Sequence, residues 1–96
     1  MTDDLGVLRE RIRALLDRTE HGSELDPIEV EHTLTDGYAR ALALEAARDR
    51  TAGRIHALAG DDGHALELRE LKAQVTSVDS ELAELRSMLK VLAATL

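Results

Sequence analysis

The sequence has no cysteine and almost no aromatic residues. Its 96 residues include one Tyr and one Pro but no Phe and no Trp. Without cysteine, the chain has no disulfide framework and no thiolate metal site. Large cores and ligand pockets usually depend on aromatic rings, so a core of Leu, Val, Ile and Ala is more typical of helices packed on helices.

Positive charge is also scarce. The formal net charge of −7 opposes binding to nucleic acid or to an anionic membrane. No apolar run approaches the length of a membrane span. Residues 1–4 include Asp3 and Asp4 and do not predict a signal peptide. We therefore expect a cytoplasmic protein without nucleic-acid or membrane partners, and the excess of Arg over Lys favours a bacterial source.

The most regular pattern is a heptad repeat in the last third of the chain. Its apolar residues are spaced alternately three and four apart over about four heptads, which is typical of a helix that buries one narrow stripe against another helix. The residues of this seam are Leu68, Leu71, Val75, Val78, Leu82, Leu85, Leu89, Leu92 and Leu96. The pattern predicts a third helix over about residues 64–96.

A short first helix is predicted over about residues 3–19. Thr2 is its expected N-cap, and Gly22 is a plausible C-terminal stop. Its apolar stripe consists of Leu5, Leu8, Ile12 and Leu15.

The second helix, over about residues 27–59, begins at the clearest local signal in the chain. Asp26 is the expected N-cap, Pro27 the first helical residue and Glu29 the capping-box residue. Small and polar residues interrupt its seam, whose apolar members include Val30, Leu34, Leu44, Ile55 and Leu58.

A tight turn at residues 60–63 joins the second and third helices, so we expect a long antiparallel, coiled-coil-like hairpin within one all-α domain, residues 1–96. A second apolar face lies toward the open end of this hairpin, and we expect the first helix, or its copy from a second chain, to cover it. This face consists of Ile28, Tyr38, Leu42 and Ala46 on the second helix and Met88, Val91, Ala93 and Ala94 on the third.

The other end of the hairpin, about residues 47–77, has only two helices and a thin seam. Apolar burial at about 25 cal/mol per Å² must offset the entropy of ordering each residue, so a slim pair of helices is marginal alone. Self-association is the usual remedy. We therefore expect a homodimer, most simply a bundle with four hairpin helices at its centre and the first helices outside.

Few residues indicate chemistry. His56 and His64 flank the turn, with Asp61 and Asp62 between them. This arrangement indicates either a carboxylate–imidazole metal site or an ordinary polar turn. No ligands stand at i and i+4 on one helix, so we predict no metal and no cofactor.

Two interruptions of the second helix are ambiguous. Arg48 and Thr51 either fix the pairing of the helices, or Arg48 packs its stem and directs its guanidinium to Asp79 or to solvent. Tyr38 either docks a partner or fills the space beside Gly37, with its hydroxyl at the rim.

The charged runs predict solvated, salt-bridged faces rather than phosphate sites. The first helix interleaves its arginines with acidic residues. Asp79, Glu81 and Glu84 form an acidic face, with Arg86 close by for pairing. The arginines of the first helix are Arg9, Arg11, Arg13 and Arg18.

No catalytic motif is visible, and we predict that the protein is not an enzyme. The favoured hypothesis is a helical interaction or scaffolding module that self-associates through the third-helix seam and the apolar faces of the other helices. One alternative is a regulatory binding protein whose seam is completed by a different chain, such as a transcription or secretion component. Another is a metal-dependent enzyme that uses the histidines beside the turn. The predicted interface and packing residues are Leu5, Leu8, Ile12, Leu15, Val30, Leu34, Tyr38, Leu42, Leu44, Ile55, Leu58, Leu68, Leu71, Val75, Val78, Leu82, Leu85, Leu89 and Leu92.

Overall fold

The computed structural model describes residues 4–60 and 62–96. Over these ranges the chain forms helix α1 (Asp4–Glu20), helix α2 (Pro27–Leu58), a 3₁₀ turn (Asp62–His64) and helix α3 (Ala65–Ala93). No strand occurs in the described ranges. The all-helical prediction is therefore confirmed. The predicted N-cap Thr2 lies outside the described residues.

Helix α1 ends at a glycine in the left-handed conformation. Gly22 has φ +76°, its N–H donates to the carbonyl of Thr19 at 3.1 Å, and the N–H of Ser23 donates to the carbonyl of Arg18 at 2.9 Å. This pair of bonds satisfies two carbonyls at the end of the helix and reverses the chain, and glycine adopts it without a Cβ clash.

Helix α2 begins at the predicted residue, Pro27, with Asp26 as its N-cap. The Asp26 carboxylate accepts a hydrogen bond from the N–H of Ile28 at 3.0 Å, and Pro27 occupies the first turn, where no N–H is needed. Glu29, the expected capping-box residue, accepts a hydrogen bond at 3.4 Å from Arg18 of α1. Its carboxylate therefore joins the start of α2 to the end of α1.

Helices α2 and α3 lie side by side and run in opposite directions. The pairing is shown by contacts in which the residue number rises on one helix as it falls on the other. From the turn outward, these contacts join Arg54 to Glu67, Arg48 to Asp79, Glu45 to Arg86, and Gly37 to Leu89. At Gly37 the helices approach closely, because a Cβ there would lie 2.3 Å from Cδ2 of Leu89.

Helix α1 packs across one side of this pair. It spans about 26 Å at 1.5 Å per residue, whereas α2 spans about 48 Å, so α1 covers only about half of the pair. The ion pairs between α1 and α2 involve Glu29, near the start of α2, and Asp36, further along it. We call the three-helix part the base (residues 4–46 and 81–93) and the two-helix part the arm (residues 47–58 and 65–80).

Helix α3 ends three residues before the predicted boundary. The N–H groups of Thr95 and Leu96 donate to carbonyls three residues back, at 3.0 and 3.2 Å. The Thr95 hydroxyl donates to the carbonyl of Leu92 at 2.7 Å. A tightened last turn and a hydroxyl that competes for a helix carbonyl both end the α-helix here. Leu96 is consequently exposed rather than part of the seam.

Candidate interaction surfaces

Burial changes along the seam of α3. In the base, Leu85 and Leu92 are 0 % exposed, whereas in the arm Leu71 and Val78, which continue the same heptad pattern, are only partly buried. The difference follows from α1, which adds a third layer over the base alone. The other predicted seam residues of the arm, also partly buried, are Ile55, Leu58, Leu68 and Val75. The buried core consists of Leu5, Leu8, Ile12, Leu15, Val30, Leu34, Ala41, Leu44, Leu82, Leu85, Leu89 and Leu92.

The expectation that the first helix of the same chain covers the second apolar face is wrong. Tyr38 remains 50 % exposed and Leu42 66 % exposed. Asp36 and Arg40 face α1, and each exposed residue follows one of them by two positions. Two residues turn an α-helix by about 200°, so Tyr38 and Leu42 lie on the side of α2 away from α1.

Tyr38 and Leu42 border an open groove between α2 and α3. The groove has a volume of about 600 Å³, and its lining residues are Tyr38, Ala41, Leu42, Glu45, Arg86, Lys90 and Ala93. We call this side of the α2–α3 pair the back face. Tyr38 therefore does not pack in the core of its own chain. Gly37, the residue beside which Tyr38 was expected to fill space, is itself buried.

The other exposed members of the predicted second face are scattered. Ile28 is 62 % exposed at the start of α2, and Val91 is 53 % exposed on α3. Met88 packs partly against the core. Because a single exposed apolar side chain is ordinary, these positions do not define a surface in the way that the Tyr38 groove does.

A second groove runs between α1 and α2. Its apolar lining includes Val7, which is 49 % exposed, with Ala39 and Ala43 of α2. Arg40 also lines it, and its Nε is shielded from solvent without a hydrogen-bond partner in the described part of the chain. The sequence pattern did not indicate this groove, because the groove forms only when α1 packs on this side of α2.

The arginines of α1 pair with acidic residues on other helices. Arg11 contacts Asp36 of α2 at 2.9 Å, while Arg9 and Arg13 contact Glu84 of α3 at 3.1 and 3.4 Å. Glu84 was expected to be part of an exposed acidic face, yet it joins α1 to α3. Salt-bridged faces were predicted, but the helix that supplies each partner could not be read from local spacing.

The polar interruptions of the α2 seam find partners within the chain. Arg48 donates from Nε to Asp79 at 3.0 Å, one of the contacts expected from the sequence. This hydrogen bond raises the pKa of the Arg48 guanidinium. Thr51 donates its hydroxyl to the carbonyl of Ala47 at 3.1 Å, so neither side chain needs a partner protein to satisfy it.

Of the two histidines near the turn, His56 is exposed and His64 lies beside an ion pair. Nδ1 of His64 is 3.4 Å from Glu67, and Arg54 donates to the same carboxylate at 2.7 Å. The Arg54 hydrogen bond is the main reason that the pKa of Glu67 lies below its ordinary value. Among the side chains that the structure describes, those of residues 5–60 and 63–96, no three from His, Asp or Glu are grouped to hold a metal ion. Asp61 and the side chain of Asp62 lie outside this set.

Comparisons with protein-family models, with curated proteins and with solved structures find no match for this chain. Among its described helices, none is both long and apolar enough to cross a membrane.

Proposed function

We propose that this chain is a helical interaction module that self-associates, with a second copy covering the arm. The observation that carries the proposal is the loss of burial along one continuous seam. Leu85 is 0 % exposed beneath α1, while Leu71, two heptads earlier, is partly open to water. Removing apolar surface from water stabilises by about 25 cal/mol per Å², so a covering helix from another chain is favoured there.

The polar groups of the arm are compatible with such a cover. Arg54 already pairs with Glu67, and Arg48 with Asp79. A charge that loses water without a partner is strongly destabilising, whereas a paired one costs less. A second copy can therefore cover the arm without leaving these charges buried and unpaired.

Hydrogen exchange at several protein concentrations tests this proposal. A second copy that covers the arm should slow amide exchange in residues 50–58 and 65–78 as the concentration rises, because association stabilises the segment it contacts. Amides in the middle of α1 provide the internal control and should change less. Sedimentation equilibrium on the same samples gives the dimer dissociation constant independently.

Two results would contradict the proposal. One is a chain that sediments as a monomer at all concentrations up to about 100 µM, with exchange in the arm independent of concentration. The other is a dimer whose formation protects α1 but not the arm. A monomer that melts without cooperativity would instead favour a different protein as the covering partner.

A further inference from the structure

We infer that the second copy docks on the back face around Tyr38 and Leu42, so that α1 stays on the outside of the dimer. This inference rests on the proposed self-association and adds the surface through which it occurs. The back face runs along the same two helices that form the arm. One interface can therefore cover both the exposed patch in the base and the open seam of the arm.

The exposed area matches what a stable dimer needs. The chain exposes 6610 Å² and measures 58 × 24 × 17 Å. A compact folded monomer of its 10.5 kDa mass exposes about 5,400 Å² by the usual scaling, so the excess is about 1,200 Å². A standard interface buries about 800 Å² on each partner. The elongated shape thus leaves enough surface for a second copy.

The apolar residues of the back face form one patch. Tyr38 and Leu42 are four residues apart on α2, so they are neighbours on one helix face. Ala41 and Ala93 add to the same groove. The large, exposed side chains of this patch stand beside small ones, which leaves space for a helix of the second copy to approach.

The charges around the patch permit self-contact despite the acidity of the chain. The net charge of the whole chain is −7, which disfavours most contacts between copies. At the patch, however, Glu45 is paired with Arg86, and Lys90 adds a positive charge. The surroundings of the groove are therefore not acidic. An apolar centre with paired charges at its margin is the usual anatomy of a protein interface.

The side occupied by α1 is less suited to a second copy. Apolar residues of α1 already fill the corresponding surface of the base, where Ile12 is 0 % exposed. The outward side of α1 carries Glu10 and Asp17. Two copies that met through α1 would bring these carboxylates together, and like charges in contact are unfavourable.

Two matched lysine substitutions test the choice of surface. Leu42→Lys changes the back face, and Val7→Lys makes the same change at an exposed residue of α1. Either variant has a net charge of −6, derived from the −7 of the chain, so weaker association cannot result from greater overall repulsion. In a two-fold symmetric dimer each substitution is present on both sides of the interface, so its effect on the free energy of association is doubled. Leu42→Lys should therefore raise the dimer Kd by about a hundredfold or more, whereas Val7→Lys should change it less than about threefold.

The outcomes separate this inference from the proposed function. A wild-type chain that stays monomeric overturns self-association and the inference together. A wild-type dimer with the same Kd in both variants leaves self-association standing and overturns the back face. A larger effect of Val7→Lys than of Leu42→Lys places the interface on the α1 side and also overturns it. Circular dichroism of both variants confirms that each remains helical.

Distances between spin labels give a second test that does not depend on weakening the dimer. Because the chain has no native cysteine, a single cysteine at Ala46 or at Ala14 takes one label per copy. Both residues are exposed, the first on α2 and the second on α1, where it borders a groove toward the start of α2. With helices about 8–10 Å apart, docking through the back face predicts a shorter distance between the two Ala46 labels than between the two Ala14 labels. The reverse order overturns the inference.

Discussion

Replacing Gly37 by alanine tests how closely α2 and α3 approach in the base. The added Cβ would lie 2.3 Å from Cδ2 of Leu89 and 3.2 Å from Cγ of the same side chain. The Leu89 side chain must therefore shift to admit the new methyl group. Because Leu89 is 1 % exposed, this shift takes place within the packed core and against the side chains around it.

The expected magnitude is a balance of two effects. Alanine in a helix interior is favoured over glycine by about 1 kcal/mol. Inserting a methyl group into a packed core costs about 1–3 kcal/mol. We therefore expect Gly37→Ala to lower the free energy of unfolding by about 1 kcal/mol, which lowers Tm by about 4–8 °C for a domain of this size.

Gly53→Ala is the matched control on the same helix. A Cβ at Gly53 meets no atom within 4 Å, so only the gain in helix propensity remains, and this variant should be stabilised by about 1 kcal/mol. Thermal or urea denaturation followed by circular dichroism measures both variants. All samples should have the same protein concentration, because any association makes Tm depend on it.

A Gly37→Ala variant as stable as Gly53→Ala would refute the close contact with Leu89. A double-mutant cycle localises the effect further. In a Leu89→Ala background the obstructing side chain is absent, so Gly37→Ala should become neutral or stabilising. If the substitution is equally destabilising in both backgrounds, its cause lies elsewhere in the helix pair.

Three further predictions concern polar groups. Asp26→Ala removes the cap that Ile28 N–H donates to and should cost about 1 kcal/mol in thermal denaturation; an unchanged Tm would contradict that role. Glu84→Gln removes the carboxylate shared by two arginines of α1 and should destabilise by no more than about 1 kcal/mol, less at high salt, with faster amide exchange confined to α1. Titration followed by NMR should give the Glu67 carboxyl a pKa below its ordinary value of 4.5. In Arg54→Gln this pKa should return toward the ordinary value. The associated stability is complete above the ordinary pKa and is lost as the pH falls through the lowered one.

Local sequence signals account for much of the helical architecture. The Asp26-Pro27 start is a chemical signal that acts within one turn, and the structure places the cap there. The left-handed Gly22 acts in the same way at the end of α1. The three- and four-residue spacing of α3 requires only that one helix face be apolar. Such signals depend on residues close in sequence, so they are readable without knowledge of the tertiary structure.

The side on which α1 packs could not be predicted in this way. Counting apolar residues favours the face with Tyr38 and Leu42, because it is the more hydrophobic side of α2. The structure places α1 on the other side, where Thr33 is 1 % exposed. The Thr33 hydroxyl donates to the carbonyl of Glu29 at 2.9 Å and accepts from Arg11 at 3.3 Å. A polar residue that is satisfied only in the folded chain looks like a surface residue in a hydrophobicity pattern.

We interpret the ion pairs of α1 as determinants of the side on which α1 packs, rather than as the main source of the stability of that packing. Exposed pairs contribute about 0–1 kcal/mol each, whereas full burial of one leucine or isoleucine contributes about 1.5–3 kcal/mol. Apolar burial therefore holds α1 against the base, and it would do so on either side of α2 and α3. On the side where α1 lies, Asp36 and Glu84 pair with its arginines. The groove on the opposite side is lined by Arg86 and Lys90, and its carboxylate, Glu45, is already paired with Arg86. Charge placement selects the side, as complementary charges select partners at interfaces. The same selection leaves the more apolar back face open, which is why a chain that can complete its own three-helix base still exposes Tyr38 and Leu42.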